Sequence, residues 1–168
     1  IISAIILSGL VFKEYNSNFE KGIKALKQVV ENFFDSNGCP INRNTYDLVQ
    51  CSKFLVLIKE CCKDAQEYIP DFLDDIVDKL INCLFALKTP TDKNPLFNGA
   101  SDFKIDGYLE YLSGLEYKSK HTINNIGEIY IARGKKNLLF FDVGSPPAKK
   151  YSKNYQSGPL SFEYFIDN

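Results

Sequence analysis

The 168-residue sequence has no methionine and no tryptophan, a single histidine, and only two arginines among its twenty basic residues. Methionine is missing even at position 1, and the chain opens inside an apolar run, so it reads as an internal piece of a longer protein. That opening run, IISAIILSGLVF, is uncharged over residues 1–12 only. It falls short of the roughly 20 residues a bilayer span needs and lacks the basic flank of a signal peptide, so a buried helix is expected and no transmembrane segment. No CxxC pair occurs among Cys39, Cys51, Cys61, Cys62 and Cys83, and four of these fall in helical stretches, which predicts small buried hydrophobes rather than metal ligands or disulfides. No metal or other cofactor is expected from these residues. The absence of GxGxxG and GxxxxGK[ST] gives no support to nucleotide binding, and the absence of an RNP-like or zinc pattern argues against nucleic acid. No helical repeat period is visible, which ranks a stacked-hairpin protein-interaction adaptor low. The lone histidine, His121, lies in a polar stretch and reads as a solvated loop residue.

What is present is an ordinary globular composition, 45% hydrophobic and 24% charged, with a net charge of −1. The charge is unevenly placed: residues 1–114 carry 12 basic and 16 acidic side chains, and residues 115–157 carry 8 and 3. A local basic excess suits either a polyanion or a lysine-rich loop surface. After Ser17 and Asn18, both good caps, Phe19, Ile23, Leu26, Val30 and Phe33 recur at helical spacing up to Gly38. A second stripe of Leu48, Cys51, Leu55, Ile58 and Cys62 begins near Asn44, and a third of Phe72, Ile76, Leu80, Cys83 and Leu87 follows Pro70. Short connections favour antiparallel neighbours.

From Thr89 the run TPTDKNPLFNGASD is too rich in Pro, Asn, Asp and Gly to continue a helix. Phe103–Leu115 allows one short helix. Beyond it Ile129 and Ile131 alternate with polar neighbours, Gly134–Asn137 supplies a turn, and LLFFDV forms the returning strand. Leu160, Phe162, Tyr164 and Ile166 alternate as a third strand. The expected fold class is α+β: antiparallel helical hairpins over 1–88, a junction with a short helix over 89–114, and the first strands of an antiparallel β-sandwich over 115–168. Three strands do not close a sandwich, so partner strands are expected beyond this stretch.

Four motifs in this order, GCPINRN before a long helix, NPLFNG at the junction, LLFFDVGSPP on the hairpin and QSGPLSFEY on the next strand, resemble the heparinase II/III family. The resemblance implies the end of an α/α toroid leading into a β-sandwich, in a bacterial protein of the periplasm or cell envelope. It also implies an acidic, uronate-containing polysaccharide as partner, cleaved by β-elimination. That chemistry needs a group to neutralise the uronate carboxylate, a base to take the C5 proton, and an acid for the leaving oxygen. Carried onto this sequence, the resemblance implies Tyr46 as the catalytic acid or base, and Arg43, Asn44, Gln156 and Glu163 as substrate-binding groups. A structural metal belongs, if anywhere, to the complete sandwich. Each residue has a plainer reading beside it: Tyr46 packs on its neighbour, Arg43 pairs with an Asp of the chain, and Glu163 points either toward the toroid or to solvent. Pro40 and Gln156 stand where lytic relatives carry histidine, so a non-catalytic glycan-binding or envelope protein on the same scaffold is the alternative.

Overall fold

The computed structural model describes residues 1–91, 93–155, 158 and 160–166. Five helices precede a four-stranded antiparallel sheet: α1 (Ile2–Val11), α2 (Asn16–Phe33), α3 (Thr45–Asp64), α4 (Asp71–Ala86) and α5 (Asp106–Gly114), then β1 (Asn125–Ile126), β2 (Ile129–Arg133), β3 (Asn137–Asp142) and β4 (Phe162–Ile166), in the spatial order β1-β2-β3-β4. This is the expected α+β class. The two-residue β1, pairing Asn125 with Tyr130 and Ile126 with Ile129, was too short for a period-2 pattern to reveal.

Helix α3 starts where the sequence places it, because the Asn44 side chain accepts the Asp47 amide at 2.9 Å and satisfies one of the orphan donors of the first turn. Helix α2 starts earlier than expected, at Asn16, with no side-chain cap. Asn18 donates instead to Ser8 Oγ at 3.1 Å, tying α2 to α1. Gly38 is not a helix cap either: α2 ends at Phe33, and Gly38, in the left-handed region at φ 84°, closes a turn onto the Asp35 carbonyl.

The opening helix is less enclosed than its composition predicts. Ile6 alone is fully buried in α1, whereas Ile1, Val11 and Phe12 are exposed. Helix α1 packs mainly against α2, with a smaller contact on α3. Gly22 permits this approach: a Cβ there would lie 2.5 Å from Ile6 Cγ1. The main core is built from α3 and α4: Leu48, Ile58, Leu80 and Leu87 of the expected stripes are essentially inaccessible, together with Leu73 and Leu84, which those stripes did not include. The cysteines behave as small hydrophobes. All five are free, and burial pushes the Cys51 and Cys83 thiols up to about 12.

In the sheet, Ile129, Ile131, Leu138, Phe140 and Phe165 face the core, with Phe140 and Phe165 in an edge-to-face contact at 5.9 Å. Phe162, Tyr164 and Ile166, the more apolar set of β4, lie on the exposed side, while Leu160, expected in this strand, precedes it in a turn at φ 64°. Tyr130, Phe141 and Phe162 line up across β2, β3 and β4 on that same side. An apolar outer face of this kind is a surface shaped for a second layer. No helix among the described residues is long and apolar enough to cross a membrane.

Candidate functional site

The described residues of the four motifs meet at one seam between the helix ends and the sheet. Arg43, in the loop ahead of α3, adopts the left-handed conformation at φ 52°, which costs a non-glycine residue about 1 kcal/mol. Its side chain is 6% exposed and reaches across to Asp142 at the end of β3, which is 1% exposed, with Nε 3.3 Å from Oδ1. Nη1 donates to the Ser145 carbonyl at 2.8 Å and lies 3.7 Å from Glu128 Oε2. The guanidinium carbon stands 6.0 Å from the Tyr155 ring centre, in cation–π range. Gly144 leaves room for the guanidinium, since a Cβ there would collide with it. Gly127 likewise leaves room for Cys39, whose Sγ would be 2.5 Å from an added Cβ.

Asp142 is held at both oxygens. Oδ1 accepts the Gly144 amide at 2.9 Å, and Oδ2 accepts Asn98 Nδ2 at 3.0 Å. Asn98 belongs to NPLFNG, is left-handed at φ 57°, and also donates to the Arg43 carbonyl at 3.1 Å. Asn44 Nδ2 returns a bond to the Asn98 carbonyl at 3.1 Å. Thr45 Oγ1 donates to the Pro95 carbonyl at 2.7 Å and accepts the Phe97 amide at 3.3 Å. The junction loop is thus fastened to the start of α3. A buried ion pair with its spare acceptors filled in this way fixes geometry, even where its net contribution to stability is small.

The predicted site residues divide by environment. Arg43 and Asn44 are buried inside this network. Glu163 on β4 faces inward: its Oε1 accepts the Leu96 amide at 2.8 Å, and partial burial pushes its pKa upward. Tyr46, in the first turn of α3, is half-buried with its ring 6.2 Å from Phe103, edge to face. Gln156 lies outside the described residues. His121 is exposed and its carbonyl receives Ser119 Oγ at 2.8 Å. Among the described residues no group of three or more His, Cys, Asp or Glu side chains could hold a metal ion.

Sequence reasoning missed Asp142 and Asn98. The signal was present: an Asp closing an otherwise apolar strand and an Asn ahead of Gly in a turn. Nothing in periodicity, however, says that two segments so far apart meet at Arg43. A further polar knot lies away from the seam. Lys59, 6% exposed, reaches Asp74 at 2.5 Å and stands 5.2 Å from the Tyr117 ring, while Tyr117 Oη donates to Glu60 at 2.5 Å.

No family model and no curated protein matches this sequence. Solved structures do. A heparan sulfate lyase, HepC, from Pedobacter heparinus superposes with a TM-score of 0.80 at 13% identity over 98% of this chain and 30% of that one. A heparinase III structure gives 0.78 at 13% identity over 99% and 32%, and a further heparinase III gene product 0.73 at 14% over 99% and 30%. The chain therefore spans about a third of the length of the structures it matches. Over that stretch it has the heparinase III fold, in which an α/α toroid gives way to a β-sandwich.

Proposed function

We propose that these residues form the toroid–sandwich seam of a heparinase II/III-like protein that acts on an acidic, uronate-containing polysaccharide by β-elimination. The observation that supports this reading is the seam itself: the Arg43–Asp142 pair, bridged by Asn98, ties the end of β3 to the loop ahead of α3, the helix that carries Tyr46. Tyr46 is the candidate proton acceptor. Arg43, Asn44 and Glu163 are engaged with groups of the fold, whereas Tyr46 packs its ring edge to face on Phe103. Its oxygen would take the uronate C5 proton and return a proton to the leaving O4 as the C4–O4 bond breaks, acting as base and then acid. Arg43 Nη2 is buried and has no hydrogen-bond partner among the described residues.

The second reading is glycan binding without cleavage on the same scaffold. The burial of Arg43 and Asn44 favours it, because groups enclosed this far cannot readily neutralise an incoming carboxylate. The test is incubation of the full-length protein with a panel of uronate polysaccharides, following the ultraviolet absorbance of the conjugated, unsaturated uronate left by elimination. An absorbance rise supports cleavage. Binding without any rise supports the second reading.

A further inference from the structure

At the other end of the β2–β3 hairpin, about 13 Å along the strands from the seam, lies a cavity of about 400 Å³ between the hairpin tip and the end of α4. Among the described residues its charged lining groups are Lys88, Arg133, Lys135 and Lys136, with no acid among them. None of the ion pairs among the described residues engages any of the four. Arg133 is one of only two arginines in the chain. Its Nη2 donates to the Ala86 carbonyl at 3.2 Å in the last turn of α4, which holds the planar fork in place. Partial burial pushes its pKa down, and the same desolvation strengthens its attraction for an anion.

Neutralising the end of α4 does not account for this cluster. A helix C-terminus presents about half a negative charge, which a single cation offsets. The neighbouring cavity, which shares Lys88, holds Asp106 and Glu110, but it does not include Arg133, Lys135 or Lys136. Those three have no opposite charge among the described residues of the cavity they line. A third cavity of about 310 Å³, with Ser119, His121 and Thr122, lies against Arg133, so a chain-like ligand could pass along it.

We propose that Lys88, Arg133, Lys135 and Lys136 form a binding subsite for the acidic groups of a glycan chain, distinct from the seam. The anion class follows from the charge and the guanidinium fork; that the anion is carried on a sugar rests on the function proposed above. The test is calorimetric titration of the full-length protein at about 0.15 M salt with two probes, an oligouronate carrying carboxylates only and a sulfated uronate oligosaccharide. The K135A/K136A variant, altered only on exposed turn positions, should bind the preferred probe about tenfold more weakly. R133Q should weaken it further with an unchanged circular dichroism spectrum. If both variants bind as the wild type does, the subsite is refuted while the seam reading stands. If the wild-type protein binds neither probe, the subsite is refuted as well. A failed elimination assay alone counts against the seam chemistry and leaves the subsite intact.

Discussion

Arg43 Nε and Asp142 Oδ1 meet 3.3 Å apart with both side chains shut away from water, one supplied by the loop ahead of α3 and the other by the end of β3. Removing either partner strands a buried charge, which costs about 3–5 kcal/mol, whereas replacing both by apolar groups costs far less. D142A and R43M should each lower urea stability by that amount. The R43M/D142A double variant should recover a substantial part of it. Strictly additive losses in the double-mutant cycle would mean that the two groups do not act as a pair.

Lys59 and Asp74 are an asymmetric pair, the lysine buried and the carboxylate largely exposed. The hydrogen bond from Lys59 holds the Asp74 pKa below the ordinary carboxylate value. An acid with a depressed folded-state pKa contributes stability above its unfolded pKa, lost as the pH falls through the ordinary carboxylate range to the folded value. D74N should therefore weaken the protein near neutral pH and flatten the acid limb of its stability profile. K59M should cost less than D74N, because it removes the buried charge instead of leaving it unpaired.

Glu163 has the opposite sign. Burial raises its pKa, against the lowering effect of the Leu96 amide. Stability from its protonated form is fully present below the unfolded carboxylate pKa and lost as the pH rises through the higher folded value. E163Q keeps an acceptor for Leu96 and should remove this dependence, making thermal denaturation less sensitive to pH just above the carboxylate range. Loss of stability at every pH in E163Q would show that the charge itself is required.

Two glycines provide a matched test of packing. An added Cβ at Gly22 would crowd Ile6, while at Gly107 in α5 nothing lies within 4 Å. G22A should destabilise by about 1–3 kcal/mol through overpacking of the α1–α2 contact. G107A should stabilise by about 0.5–1 kcal/mol through helix propensity. Equal effects in a thermal melt would contradict the close approach of the two helices.

Much of the helical part was legible because burial imposes period. Most of each stripe is core, Leu48, Leu55, Ile58 and Cys62 in the first and Ile76, Leu80, Cys83 and Leu87 in the second, with Cys51 and Phe72 only partly buried, and Asn44 caps α3 as its residue type predicts. The strands were legible in position but not wholly in orientation. In β4 Phe165 turns inward while the more apolar set turns out, because a strand with two apolar faces carries no alternation that names the inner one. The plainer readings account for the contacts seen at Arg43 and Tyr46: one pairs with an aspartate and the other packs on a neighbouring ring. Which aspartate Arg43 meets is a product of chain topology, and no local pattern encodes it.

The central claim is that Tyr46 acts as a base on a uronate at this seam. The direct measurement compares wild-type full-length protein with Y46F on the uronate polysaccharide panel, recording ultraviolet absorbance of the unsaturated product together with binding of the same polysaccharide. The account predicts a rise with the wild type that Y46F abolishes while its binding and melting temperature persist. A rise of equal rate in Y46F, or binding by the wild type with no rise on any polysaccharide, would contradict it.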